Sequence, residues 1–166
     1  IPTVLDAWGR VDVLYNNAIF RGVGTLDRIG DLTMDSMTAL MVGNFIADHV
    51  KGAKKNDYPD GIRRGIELHR AIDHFTDTHH LTSSSKKLLY PRHSKYAGVV
   101  VDLFYDHFLA AGFSAYSEVP LKDFTANAYA TLTGYGHILP EEVRHFLPYM
   151  IERDWLTGYA TVEGIG

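Results

Sequence analysis

Histidine and aspartate side chains interrupt an apolar helical pattern in the segment 68–80, LHRAIDHFTDTHH. His69, Asp73 and Asp77 follow one another at intervals of four residues, so a helix would place them on adjacent turns of one face. Ile66 continues that face toward the N-terminus, which indicates that His69 and Asp73 project from a surface packed against the core. Such residues need partners, because burying an ionised carboxylate costs several kcal/mol even after the surroundings relax.

Aspartate occupies apolar positions on two further predicted helices. Asp48 follows Asn44 on one helical stripe. On the other helix, the like charges of Asp102 and Asp106, four residues apart, repel each other by about 0.2–0.5 kcal/mol even when exposed. Pairing with Arg or Lys from a neighbouring helix, or a place at the wet edge of the apolar face, would explain any one of these acids. One or two bound divalent ions are the more economical explanation for all three helices together.

The available residue types decide which ions fit. The sequence holds no Cys, which excludes disulfides, thiol nucleophiles and Cys-ligated zinc. Carboxylates and imidazoles suit Mn, Mg or Fe, or a histidine-rich zinc site. A divalent ion held by such ligands polarises a phosphoryl oxygen and activates water for attack on phosphorus. The spacing therefore favours a metal site with four ligands: Asp48, His69, Asp73 and Asp106.

Length and composition are those of one globular domain. The chain has 166 residues, of which 46% are hydrophobic, enough for one sizeable core and not comfortably for two. We therefore predict a single helical domain over 1–166, with an atypical N-terminal segment at 1–37 and the main helical region at 38–166. No apolar run reaches the roughly 18 residues of a membrane span, and no signal peptide is recognisable. The expected location is the cytoplasm, with no membrane contact.

Apolar spacing predicts helices and no strands from Thr38 onward, so the expected class is all-α. Gly112 favours the end of one of these helices. The segment 79–85, rich in Ser, Thr and His, is predicted to be a loop, and Pro148 is predicted to bend or interrupt the last helix. The predicted helices span 38–50, 58–78, 86–90, 97–112, 121–132 and 140–155.

Charge is unevenly distributed along the chain. The formal net charge is -4, yet 51–95 holds ten basic residues against five acidic ones, a local balance of +5 that leaves -9 elsewhere. This segment is either a docking surface for an acidic partner or a solvated helix face with flanking loops. No nucleic-acid-binding motif accompanies it, so no nucleic acid is expected as a partner.

Four segments in colinear order resemble the acyl carrier protein phosphodiesterase family, also called acyl carrier protein hydrolases. They are VGNFIADHVKG at 42–52, YPDGIRRGIELHRAIDHFTDTHH at 58–80, KYAGVVVDLFYDHFLA at 95–110 and LPYMIERDWLTGY at 147–159. The resemblance implies a compact all-α hydrolase, distantly related to the HD-type phosphohydrolases, that works in fatty acid biosynthesis. Its implied reaction removes the 4'-phosphopantetheine group from holo acyl carrier protein to give the apo form, with Mn, or alternatively Mg or Fe, as cofactor.

The resemblance also assigns site residues by motif. The implied metal ligands are Asp48 from GNFIAD, His69 and Asp73 from HRAID, Asp77 from FTD, and Asp102 and Asp106 from DLFYDH. The implied catalytic residues are Asp48, His69, Asp73 and Asp106, so Asp77 and Asp102 are further ligands or groups that orient them. Acyl carrier proteins are strongly acidic, so the basic segment is the expected docking surface, with these partner-binding residues: Lys51, Arg63, Arg64 and Arg70. Two alternatives stay open, a non-catalytic helical module that binds acyl carrier protein and an HD-like phosphohydrolase of a small phosphate ester.

The segment 8–37, WGRVDVLYNNAIFRGVGTLDRIGDLTMDSM, resembles the middle of a short-chain dehydrogenase instead. The glycine-rich pyrophosphate turn and the Tyr-x-x-x-Lys pair of such enzymes are both missing, so dehydrogenase activity is not expected. Members of the phosphodiesterase family begin with a segment resembling NFLAHL and continue past a Trp-Leu-x-x-Tyr region into further helices. The helical region is therefore expected to be short at its C-terminus.

Overall fold

The computed structural model describes residues 34–166, and every regular element in that range is helical. The predicted all-α class is confirmed. Three-residue and six-residue 3-10 segments lie between the longer helices: Ala47–His49, Gly52–Asp57, Ser94–Tyr96 and Phe113–Ala115. The α-helices of the described range are α1 Met34–Ile46, α2 Asp60–Thr78, α3 His80–His93, α4 Ala97–Ala111, α5 Leu121–Gly134, α6 Glu141–Glu152, α7 Trp155–Gly158 and α8 Val162–Ile165.

The hydrophobic core lies where α1, α2, α5 and α6 meet. Each large aliphatic side chain that is fully buried stabilises the fold by about 1.5–3 kcal/mol, so these contacts fix the helices against one another. The most completely buried side chains of this cluster come from all four helices: Val42, Ile46, Ile62, Ile66, Leu132 and Val143.

Two glycines bring α1 and α2 close together. A Cβ on Gly43 of α1 would lie 2.0 Å from the carbonyl oxygen of Ile62, and a Cβ on Gly65 of α2 would lie 2.2 Å from the carbonyl oxygen of Leu40. No side chain fits at either position without moving a backbone. We call the contact of Gly43 with Gly65 the glycine seam.

The two helices of the glycine seam run in the same direction. Before the seam, a Cβ on Gly61 would lie 2.8 Å from the Cβ of Ala39. Beyond the seam, Asp48 lies against His69. Later residues of α1 therefore contact later residues of α2. The 3-10 segment that follows α1 is thereby brought against the C-terminal half of α2.

Within the region predicted to be a loop at 79–85, residues 80–85 are helical and belong to α3, and His79 is the N-cap of that helix. The side chain of His79 caps the helix, because its Nδ1 accepts a hydrogen bond from the backbone N–H of Leu81. Inside the helix, the hydroxyl of Ser84 donates to the carbonyl oxygen of His80. The loop prediction was wrong because these polar side chains are satisfied by the helix itself.

Other details of the helices also differ from the predictions. α1 begins at Met34 rather than at Thr38, so its first turn falls inside the segment predicted to be atypical. α6 continues through Pro148 to Glu152, so the predicted interruption was wrong. Pro148 is exposed, and the carbonyl group that its ring deprives of a hydrogen bond belongs to the exposed Arg144, where water can replace the lost donor.

Residues 1–33 lie outside the described range. The dehydrogenase-like interpretation of 8–37 and the single-domain assignment of 1–166 therefore remain predictions. Within 34–166, no helix combines the length and the apolar character that crossing a membrane requires.

Candidate functional site

Three of the predicted site residues meet at one point of the surface. Nε2 of His69 lies 3.2 Å from Oδ1 of Asp48 and 3.0 Å from Oδ2 of Asp73. One potential ligand atom from each of the three residues lies within 4.8 Å of the other two. We call these three residues the Asp-His-Asp cluster.

One helix and one short turn position the Asp-His-Asp cluster. His69 and Asp73 are one turn apart on α2, whereas Asp48 lies in the 3-10 segment that follows α1. Gly65 precedes His69 by one turn, and Gly43 precedes Asp48 by roughly one turn. The glycine seam therefore holds the two backbones close enough for the side chain of Asp48 to reach the imidazole.

Burial differs between the imidazole and the two carboxylates. The side chain of His69 is 5% exposed, whereas that of Asp73 is 41% exposed and that of Asp48 is 77% exposed. Packing holds the ring in place, and the carboxylates face solvent. A ligand can therefore approach the Asp-His-Asp cluster from its carboxylate side.

The two carboxylates of the cluster differ in proton affinity. The hydrogen bond with His69 lowers the pKa of Asp48, and it outweighs the opposing effect of burial. Burial raises the pKa of Asp73, and the charges of Asp48 and Asp77 add to that rise against the opposing charge of His69. Asp73 is therefore the carboxylate whose ionised form gains most from a nearby cation.

A second group of charges lies next to Asp73. Nζ of Lys86 on α3 lies 2.7 Å from Oδ1 of Asp77 on α2. Partial burial raises the pKa of Asp102 on α4; the charge of Lys86 opposes that rise, and the charges of Asp77 and Asp73 add to it. These side chains therefore interact across three helices. We call Asp77, Lys86 and Asp102 the lysine cluster.

Asp106 is half-buried on α4, one turn after Asp102. Burial raises the pKa of Asp106 to about 7, and the charge of Asp102 adds to the rise. The neighbouring ring is Tyr159, whose pKa is raised by burial and by the charge of Asp106. Among the described residues, the potential ligand atoms that lie within 4.8 Å of one another belong to the Asp-His-Asp cluster, and Asp106 contributes none of them. Its role as a metal ligand remains a prediction.

The four predicted docking residues differ in how their charges are used. The guanidinium group of Arg63 contacts two carboxylates of its own helix. The guanidinium group of Arg70 donates to a backbone carbonyl oxygen 2.6 Å away. Lys51 and Arg64 are exposed. An acidic partner would therefore find the most accessible positive charge at Lys51 and Arg64.

Two polar residues outside the predicted site, Asn44 and Lys86, lie beside these clusters. Asn44 is 4% exposed, and within the described part of the chain its Oδ1 has no hydrogen-bond partner. The stripe that Asn44 shares with Asp48 is a sequence signal for it. Lys86 has no such signal, because the sequence pattern predicts a loop directly before it and gives no sign that it faces Asp77.

The donor set of the Asp-His-Asp cluster fits a hard divalent cation. Two carboxylates and one imidazole are typical ligands of Mn, Mg and Fe. Asn44, whose buried Oδ1 has no hydrogen-bond partner among the described residues, lies one turn before Asp48. The fit to a cation rests on the three side chains of the cluster itself.

Comparison with known proteins matches the same part of the chain. Residues 32–166 match the family model described as acyl carrier protein phosphodiesterase. Over 128 residues, the chain is 28% identical to the acyl carrier protein phosphodiesterase of Photorhabdus laumondii, covering 75% of this chain and 64% of that protein. Over 127 residues, it is 31% identical to the protein of the same name from an Enterobacter species, covering 74% of this chain and 64% of that protein.

The chain thus spans about 64% of the length of these curated relatives. The matched region contains the Asp-His-Asp cluster and the lysine cluster. No solved structure gives a significant match to this chain.

Proposed function

Because the chain belongs to the acyl carrier protein phosphodiesterase family, we propose that it hydrolyses the phosphodiester that joins 4'-phosphopantetheine to holo acyl carrier protein. Water adds to phosphorus, the bond from phosphorus to the serine oxygen of the carrier protein breaks, and that oxygen takes up a proton. The products are apo carrier protein and 4'-phosphopantetheine. The observation that carries the proposal is the Asp-His-Asp cluster, which lies inside the region that matches the family.

We assign the three residues of the cluster to one divalent cation, with Mn as the first choice and Mg or Fe as alternatives. Bound there, such an ion supplies Lewis acidity, which polarises a phosphoryl oxygen and lowers the pKa of water. Nε2 of His69 has to be unprotonated to act as a ligand, so loading releases any proton held between His69 and the carboxylates. Asp77, Asp102 and Asp106 are assigned to the same site as further ligands or as groups that orient the first three.

Burial prepares the site residues for these roles. Because His69 is held by packing, its lone pair keeps one direction, and the exposed carboxylates adjust to the ligand. Asp106, whose pKa burial raises to about 7, exchanges a proton near neutral pH. A nearby cation would favour the ionised form of such a carboxyl, which agrees with the assignment of Asp106 to the metal site.

The docking surface follows from charge. Acyl carrier proteins are acidic, and the segment 51–95 has a local balance of +5. Lys51 and Arg64 expose their charges, whereas Arg63 is already neutralised by its own helix. We therefore assign first contact with the carrier protein to Lys51 and Arg64, with an association rate that falls as salt is added.

The decisive experiment incubates the chain with holo acyl carrier protein and Mn and follows the carrier protein by intact mass spectrometry. Loss of the phosphopantetheine mass, blocked by a chelator, is the expected result. Asp73→Asn should abolish conversion, whereas the matched variant Asp123→Asn, at an exposed position of α5, should convert carrier protein at the wild-type rate.

Two other outcomes would contradict this function. Tight binding of carrier protein without any conversion, in a folded and metal-loaded sample, would identify a non-catalytic binding module. Hydrolysis of small phosphate esters with no conversion of carrier protein would identify a phosphohydrolase of a different substrate class.

A further inference from the structure

Lys86 reaches from α3 to the other two helices around the site. Its Nζ lies 2.7 Å from Oδ1 of Asp77 near the end of α2. Its charge also acts on Asp102 of α4, against the effect of burial on the pKa of that carboxyl. The ammonium group is therefore held where α2, α3 and α4 meet. It lies beside Asp77, which follows Asp73 by one turn of α2.

The backbone of α4 leaves room for the lysine stem. A Cβ on Gly98 would lie 3.5 Å from Cε and 3.8 Å from Nζ of Lys86, so the stem lies against the first turn of α4. The side chain of Lys86 is 31% exposed. The ammonium group is thus held between Asp77 and the first turn of α4, in a side chain that stays partly open to solvent.

The charges around Lys86 do not balance. Asp73, Asp77 and Asp102 interact with one another, whereas the ammonium group of Lys86 contacts Asp77 and offsets the charges that act on Asp102. A phosphodiester is an anion and is repelled by such an excess of carboxylates. A cation already seated among them would offset that repulsion at one defined point. A lysine ammonium group is compact and is a common phosphate ligand in proteins.

We infer that Lys86 is a phosphate-binding residue, whose ammonium group donates a hydrogen bond to a non-bridging oxygen of a phosphate that approaches the Asp-His-Asp cluster. The inference deepens the proposed function and rests on it for the identity of the natural substrate. The hydrogen bond itself does not depend on that substrate, because every phosphate ester and inorganic phosphate has a non-bridging oxygen that can accept it.

The first test uses inorganic phosphate as the probe and measures its binding to the Mg-loaded chain by isothermal titration calorimetry. Lys86→Met should weaken phosphate binding about 10- to 100-fold, the effect of removing one charged hydrogen bond. Lys86→Arg should keep most of the affinity. The matched control is Lys87→Met, because Lys87 is the next residue along α3 and is exposed; its phosphate affinity should not change. Equal affinity in the wild type and in Lys86→Met, or no binding to the wild type, would overturn the inference.

A second variant separates phosphate binding from a purely structural ion pair. Asp77→Asn releases Lys86 from its carboxylate partner. Because Asp77 is also assigned to the metal site, this variant is compared with the wild type in the metal-free chain, where its phosphate affinity should stay the same or rise while the pair itself is lost. A structural role predicts the opposite pattern: Lys86→Met and Asp77→Asn would both lower the melting temperature, and neither would change phosphate affinity.

Kinetics with holo carrier protein keep this inference distinct from the proposed function. If the wild type converts the carrier protein and Lys86→Met does so with unchanged KM and kcat, the proposed function stands and the role of Lys86 is refuted. If the wild type binds phosphate through Lys86 but converts no carrier protein, the phosphate site stands and the proposed substrate is refuted.

Discussion

Gly43 and Gly65 approach so closely that a Cβ on Gly65 would come within 2.9 Å of the Cα of Gly43. Backbone rather than side chain therefore sets the separation of α1 and α2. Asp48 and His69 lie about one turn beyond these glycines on their respective segments. The site depends on a helix contact that contains none of its own side chains.

Gly65→Ala should destabilise the chain by about 3 kcal/mol or more, because the added methyl group meets the carbonyl oxygen of Leu40 and one backbone has to move. The free energy of unfolding from urea titration measures this cost. The control is Gly134→Ala, since a Cβ there would have no neighbour within 4 Å; it should change stability by less than about 1 kcal/mol. Equal effects of the two substitutions would refute the tight contact at the glycine seam.

Divalent metal should stabilise the fold through the Asp-His-Asp cluster. At a Mn concentration of about 100 times the dissociation constant, the free energy of unfolding should rise by about 2.7 kcal/mol. Asp73→Asn should remove most of that gain, because it takes away one of three ligand groups, while Asp123→Asn should keep it. A gain of the same size in both variants would place the ion elsewhere.

In the presence of a chelator, Asp106 should make the free energy of unfolding depend on pH. Its pKa is raised from an ordinary value of 3.8 to about 7, so the folded state binds the proton more tightly than the unfolded state does. The free energy of unfolding should therefore fall by up to about 4 kcal/mol as pH rises through this window, and then level off.

Asp106→Asn should remove that contribution and be more stable than the wild type at pH 8. Thermal unfolding at a series of pH values measures the difference between the two proteins. That difference should be small near pH 4 and should grow up to about pH 7. A difference that stays constant across the whole range would refute the raised pKa of Asp106.

Tyr129→Phe should cost about 1–3 kcal/mol of stability, because it removes a buried acceptor. The hydroxyl of Tyr129 accepts a hydrogen bond from the backbone N–H of Leu156 at 2.9 Å, where α7 begins. Burial raises the pKa of Tyr129 to about 12, as expected for a phenol with little access to water. Tyr90→Phe serves as the control, since Tyr90 is 62% exposed and should tolerate the change. Chemical denaturation compares the two.

Helical periodicity predicts α2, which has one clear apolar face, and the strongly apolar α4 well. The predicted spans at 58–78 and 97–112 agree with α2 and α4 to within two residues. Periodicity fails at α3, whose apolar residues form no clear face and whose start depends on a cap from His79. Packing against α4 also supports α3, since the hydroxyl groups of Ser85 and Tyr105 lie 2.8 Å apart. A contact between residues twenty positions apart leaves no local pattern in the sequence.

The site was predictable where its residues share a helix. His69 and Asp73 are four positions apart, so their proximity follows from helical geometry alone. The stripe that Asp48 shares with Asn44 marks it as a candidate ligand, but its contact with His69 depends on the glycine seam, which brings two different segments together. Lys86 enters the site through tertiary packing, which is why no sequence pattern points to it.

The uneven burial of the Asp-His-Asp cluster bears on how fast an ion would come and go. The imidazole of His69 is fixed inside the protein, and the carboxylates of Asp48 and Asp73 open to solvent. Exchange then needs no opening of the fold, so its rate should be set by loss of water from the ion and by release from the carboxylates. A chelator would strip such a site much faster than the chain unfolds, and the protein would sample the metal supply of its surroundings continuously.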